Sequence, residues 1–298
     1  MKIHKFIKEA VRIAESYRIS KGKTFRLKDW NPADVGYIDS KDEADEALQH
    51  GTKLLTTLQE KLWAQDKWAL MIILQGMDAA GKDGVVSHVM SGVNPQGCDV
   101  WSFKQPSTEE LDHDYLWRAH QRMPSRGKIG IFNRSYYEEV LVVRVHKQLL
   151  AAEHAPEALK SKRLWSQRYE DINAFEQYLA HNGVVVRKFF LHLSKGEQKK
   201  RFLGRLDDPH KNWKFSMADI KERGYWKEYQ HAYEELIQET ASKHAPWYVV
   251  PADNKWYSRL VVSAAIVETL DTLQLEFPAV DKAKKRELEQ VRKLLLKE

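Results

Sequence analysis

The sequence contains one cysteine, Cys98, in 298 residues. That excludes an intrachain disulfide and any cysteine-rich metal site, and it makes a reducing cytoplasm the expected setting. No apolar run reaches the length of about eighteen residues that a membrane span needs. The N-terminus breaks its apolar residues with Lys2, Lys5, Lys8 and Glu9, so no signal peptide is expected either. A soluble protein without a membrane partner follows. Repeats and low-complexity tracts are missing, the histidines show no H-E-x-x-H spacing, and no zinc finger or RNA-recognition motif occurs. Nor is one sign of charge scarce. Lys and Arg number 48 against 42 Asp and Glu, a formal net charge of +6. The balance suits an anionic partner without choosing among nucleic acid, nucleotides and inorganic polyanions. The length permits two domains, but one α/β domain over residues 1–298 is the simpler expectation.

What is present centres on Trp68 to Met90. Ala69 to Leu74 is apolar without alternation, as in a parallel strand buried on both faces, and Gly76 to Lys82 matches G-x-x-x-x-G-K ahead of a helical pattern. Strand, loop and helix follow in the order that a P-loop requires. Such a loop turns successive backbone N–H groups toward one point, the helix N-terminus adds positive potential, and Lys82 adds a full charge. The phosphate-binding candidates are therefore Gly76, Met77, Asp78, Ala79, Ala80, Gly81, Lys82, Asp83 and Gly84. Asp83 stands where Ser or Thr would ordinarily place a hydroxyl on magnesium. Asp78, a carboxylate in a loop built for anions, is the local candidate for the metal.

Four more strands are expected at Cys98–Phe103, Lys128–Phe132, Val184–Leu193 and Trp247–Pro251, giving a five-stranded parallel sheet flanked by helices. The third of the five breaks into Asn133 and Arg134, which places both beside the P-loop at the carboxyl end of the sheet. Asn133 takes the place of the usual metal-binding Asp, and Arg134 reads either as a transition-state cation or as a surface residue at a helix start. Residues 1–40 show little sustained periodicity and read as an arm, its basic residues either binding a polyanion or simply solvated. A Ser194-x-x-Glu197 cap opens a helical excursion over 194–240, read either as a lid carrying Arg201, Arg205, Lys211 and Lys214 or as an exposed charged hairpin. The polar strand end at Asp253 and Asn254 reads either as a contact to a nucleotide base or, preferably, as a cap on the next helix. The tail, 278–298, carries an amphipathic stripe of Leu288, Val291, Leu294 and Leu295 suited to a neighbouring subunit.

Phosphoryl transfer is the chemistry these parts suit, because it depends on positioning and charge neutralisation more than on a strong base. Lys82, Arg134 and Asp78 are the expected catalytic set. An ATP-dependent nucleotide kinase and a non-catalytic nucleotide or nucleic-acid binder are the alternatives. Seven segments then carry a resemblance: G-M-D-A-A-G-K-D-G (76–84), S-G-V-N-P-Q-G (91–97), D-Y-L-W-R-A-H (114–120), I-F-N-R-S-Y-Y-E-E-V-L-V-V-R-V (131–145), K-F-F-L-H-L-S-K (188–195), W-K-F-S (213–216) and A-P-W-Y-V-V-P-A-D (245–253). In this order they resemble a family-2 polyphosphate kinase. The resemblance implies a P-loop kinase fold like that of thymidylate kinase, with a helical lid, and magnesium-dependent transfer, with manganese as an alternative ion. It implies inorganic polyphosphate and adenine or guanine nucleotides as substrates, no nucleic acid, and a homodimer or homotetramer. The I-F-N-R-S form resembles the class that phosphorylates both AMP and ADP. Arg118, His120, Arg122 and Arg144 fall within matching motifs and become candidates for lining a polyphosphate channel.

Overall fold

The computed structural model describes residues 3–38, 40–153, 156–159 and 161–298, and the side chains of residues 3–5, 158 and 214 lie outside what it describes. The N-terminal segment is more ordered than its sequence suggests. A helix, α1 (Ile3–Tyr17), leads into a two-residue strand, β1 (Arg18–Ile19), and after a loop and single turn into α2 (Lys41–Gln65). Ser40 accepts a hydrogen bond from the Glu43 N–H to cap α2, whose first turn carries Asp42 and Glu43 against the helix dipole. Then β2 (Ala69–Gln75) enters the centre of the sheet, and α3 (Lys82–Val89) follows the glycine loop.

Beyond it come β3 (Cys98–Ser102), two single turns, α4 (Thr108–Leu111) and α5 (Trp117–His120), and β4 (Ile129–Asn133). A capping box forms at Ser107, and the helix it opens stops after four residues, with helix resuming only at Trp117. A turn over Tyr136–Val140 precedes α6 (Val142–Val145), and α7 (Leu164–His181) leads to β5 (Val184–His192). The chain ends with α8 (Lys195–Leu206), α9 (Met217–Gly224), α10 (Trp226–Thr240), β6 (Trp247–Pro251), α11 (Lys255–Thr272) and α12 (Lys282–Leu295).

The strand order is β1-β6-β5-β2-β4-β3. The five expected strands are all parallel, and the sixth, β1, adds antiparallel to β6 through Arg18 opposite Tyr248 and Ile19 opposite Trp247. Every residue of β2 is buried. Leu70, Ile72 and Leu74 join one apolar cluster with α1, α2, α3 and α11, whereas Met71 and Ile73 join a second with α7 and α10. This two-sided burial explains why β2 shows no polar alternation.

The arm and lid segments are both partly built into the core. In α1, Phe6, Ala10, Ile13, Ala14 and Tyr17 are buried, so one face of this part of the expected arm joins the core. Its apolar positions follow the helical repeat, which the interspersed charges disguise. The lid is also shorter than 194–240, because α10 buries Tyr229, Ala232, Tyr233, Leu236 and Ile237 under the sheet. Leu206, Trp213, Met217 and Ile220 are exposed, so the projecting part lies between the end of α8 and α9. No helix among the described residues is long and apolar enough to cross a membrane.

Candidate active site

The glycine loop emerges from the buried end of β2 at the carboxyl edge of the sheet. Gly76 is required by close approach, since a Cβ there would lie 3.0 Å from the Leu191 carbonyl oxygen and 3.1 Å from the Ala80 Cβ. Gly81, at φ 108°, lets the chain turn directly into α3. Ala79 is left-handed without being glycine, at φ 64°. Such a conformation persists only where neighbours enforce it.

Arg201 enforces it. Its Nε donates to Glu197 Oε1 at 2.9 Å, its Nη1 to the Ala79 and Ala80 carbonyls at 2.9 and 3.1 Å, and its Nη2 to the Ala252 and Asp253 carbonyls at 2.6 and 2.9 Å. These five bonds match the five N–H groups of a guanidinium. Arg201 is therefore a brace under the loop, which corrects its reading as a lid cation free to close over phosphate.

Lys82 is buried and turns back into the loop, where Nζ donates to the Gly76 carbonyl at 2.7 Å. Burial, helped by repulsion from Arg134, lowers its pKa to about 8. Arg134 sits across the loop at φ 62°, directly after β4, with its N–H on the Leu74 carbonyl. Its Nη2 donates to Asp78 Oδ1 at 2.9 Å and its Nη1 to Glu138 Oε2 at 3.3 Å. Glu138, followed by Asp78, pushes the Arg134 pKa above its ordinary value against the opposing effect of burial. Glu138 also accepts from Gln75 Nε2 at 2.7 Å. The sequence reading missed Glu138, although its place four residues after Arg134 was the available signal.

Asn133 and Asp83, the two departures from the usual P-loop pattern, meet. Asn133 Nδ2 donates to Asp83 Oδ1 at 2.7 Å. A carboxylate thus stands at the start of the helix and a neutral amide at the strand end, where a hydroxyl and a carboxylate are expected, and the two are hydrogen-bonded to each other. The oxygens of Asp78 and Asp83 are of the hard type that magnesium prefers, and the buried Gln75 Oε1 has no partner among the described residues.

The other candidates separate. Arg118 is buried, donates to the Lys104 carbonyl at 2.8 Å and lies against Phe103. Arg122 is exposed over the Trp101 ring at 4.2 Å, and His120 is exposed beside Phe175. Arg144 is latched internally, to Tyr169 at 3.1 Å and Glu235 at 2.5 Å. Arg205 lies against Phe202, Lys211 pairs with Asp208, and the Lys214 side chain is outside the described residues. Asp253 accepts from the Ser194 N–H at 2.8 Å and Asn254 donates to the Ala33 carbonyl at 3.3 Å. They tie neighbouring segments together, and no side-chain cap forms on α11.

Comparison with known proteins identifies the family. Among curated relatives, the ADP-polyphosphate phosphotransferase of Rhodopseudomonas palustris is 49% identical over 95% of this chain and 98% of its own length. The AMP/ADP-polyphosphate phosphotransferase of Meiothermus ruber is 44% identical over 91% and 98% respectively. The crystal structure of polyphosphate kinase 2 from Arthrobacter aurescens superposes with a TM-score of 0.85 at 41% identity, covering 93% of this chain and 95% of that one. The family model of polyphosphate kinase 2 matches residues 38–278. With a shared fold, the P-loop in place and this span matched, the chain belongs to the polyphosphate kinase 2 family.

Proposed function

We propose that this enzyme transfers phosphoryl groups reversibly from inorganic polyphosphate to AMP and ADP. The observation that carries the mechanism is Arg134, held in a left-handed conformation between Asp78 and Glu138 opposite Lys82. A nucleotide acceptor already presents an ionised oxygen, so the obstacle is repulsion between two polyanions rather than removal of a proton. Lys82 and Arg134 supply positive charge where that repulsion is greatest. Asp78 and Asp83 would hold a divalent cation, magnesium or manganese, which supplies further charge neutralisation when bound. Arg122 and His120 offer an exposed continuation for a long polyanion along the β3 side. Guanine nucleotides are acceptors on the same reading, because the assigned groups address phosphate and not the base.

The name of the Meiothermus ruber relative supports acceptance of both AMP and ADP. The oligomer is proposed as a homodimer or homotetramer, with the exposed α12 stripe as one contact. The first test is ATP formation from ADP, long-chain polyphosphate and magnesium, repeated with AMP and with Lys82→Ala. Product from both acceptors, lost in the variant, is expected. Product from ADP alone refutes the broader acceptor range, and transfer that appears only with ATP as donor refutes the polyphosphate reading.

A further inference from the structure

Gln198 lies on the inner side of α8 and is almost completely buried. Its Nε2 donates to the Asp78 carbonyl at 2.9 Å, and its Oε1 accepts from Arg223 Nη1 at 2.8 Å. The same Arg223 nitrogen donates to the Lys195 carbonyl at 2.9 Å. A carbonyl can only accept and an arginine can only donate, so the amide has one orientation in which both bonds exist. It joins the loop residue whose carboxylate faces Arg134 to the last turn of α9, in the projecting lid. The neighbouring Glu222 accepts from Tyr229 at 2.7 Å and meets His146 at 3.0 Å, which holds that turn from a second side.

We propose that Gln198 and Arg223 are positioning residues, through which the lid in this position fixes the peptide of Asp78 and so aims its carboxylate. Neither is assigned contact with substrate. Arg201 fastens the next carbonyls, those of Ala79 and Ala80, whereas the donor to the Asp78 carbonyl is Gln198, so the orientation of this one peptide rests on the amide. The inference rests on the reading of Asp78 as a cation ligand. Two substitutions cut the relay on opposite sides. Gln198→Glu keeps an acceptor for Arg223 but has no N–H for Asp78, and Arg223→Met removes the lid's donor while leaving the bond to Asp78.

The test is a magnesium titration of ATP formation from ADP and polyphosphate for the full-length wild type, Gln198→Glu, Arg223→Met, the double variant, Arg223→Lys and Asp78→Asn, with thermal melting of each. Each single cut is expected to lower kcat by roughly tenfold and raise half-saturating magnesium several-fold, with the KM for ADP within about twofold. The double variant should be no worse than Gln198→Glu alone, and Arg223→Lys should recover part of the loss. If Gln198→Glu does not fold, Arg223→Met decides, because it alters only the less buried end. Wild-type magnesium dependence in the relay variants overturns the proposal, including the case in which only the KM for ADP rises. If Asp78→Asn itself leaves magnesium dependence unchanged, the reading of Asp78 fails instead.

Discussion

At the residue scale, the loop cations face opposing demands. Burial lowers the Lys82 pKa to about 8, yet its proposed role requires the ammonium form. Bound phosphate would favour that form, so substrate binding should take up a proton near and above pH 8. The expected pH profile has kcat/KM falling above about pH 8, with kcat falling only at higher pH, as steady-state rates across pH 7–10 would show. The stability effect runs the other way. Because the folded-state value lies below the unfolded one, burying charged Lys82 costs stability below pH 8, and that cost is relieved as pH rises toward the unfolded value of about 10.4. Lys82→Met should therefore gain stability over wild type at pH 7, with an advantage that shrinks as pH approaches 10 in chemical denaturation. Arg134 makes a different demand, for shape rather than charge. Arg134→Lys keeps the charge but cannot span Asp78 and Glu138 together, and we expect kcat to fall at least about tenfold with little change in melting temperature.

At the element scale, the central strands carry an ion pair on the face away from α11. Lys188 in β5 and Glu176 in α7 are fully buried and 2.6 Å apart, and Lys188 also donates to the Thr240 carbonyl at 2.8 Å. Tyr136 and Tyr137 donate to the remaining Glu176 lone pairs at 2.8 and 2.7 Å. This cluster fastens the turn after Arg134 to α7, β5 and α10. Burial lowers the Lys188 pKa, opposed by Glu176. Lys188→Met strands a buried carboxylate and should cost about 3–5 kcal/mol, while adding Glu176→Gln should recover part of it by removing the unpaired charge. Differential scanning calorimetry of the single and double variants checks the sign of the recovery. The lysine was visible in K-F-F-L-H-L-S-K, but nothing in the sequence paired it with a glutamate on the preceding helix. The P-loop differed, because its strand, turn and helix signals are contiguous and local backbone rules suffice to read them.

At the scale of the whole molecule, the N-terminal helix and the C-terminal helix should respond oppositely to removal. Deleting residues 1–20 uncovers apolar faces of α11 and leaves the β6 edge unpaired, so loss of soluble folded protein is expected. Deleting 282–298 removes a helix with no buried residues, and the melting temperature of the remaining fold should hold while the mass of the proposed oligomer falls, as light scattering would show. A polyanion held by several cations also implies that the KM for polyphosphate rises steeply with salt, more than the KM for ADP.

The sequence by itself determined the five parallel strands, the phosphate loop, and the neighbourhood of Asp78, Lys82, Asn133 and Arg134, because each of these follows from short-range periodicity or from the strand-end rule of open sheets. Tertiary structure decided the rest. Whether an arginine grips substrate or braces backbone depends on where distant carbonyls lie, so Arg201 and Arg144 could be read only after folding. The same holds for α1, whose apolar positions acquire meaning from the α11 surface they cover, and for Gln198, whose single orientation is set by two groups 120 and 25 residues away along the chain.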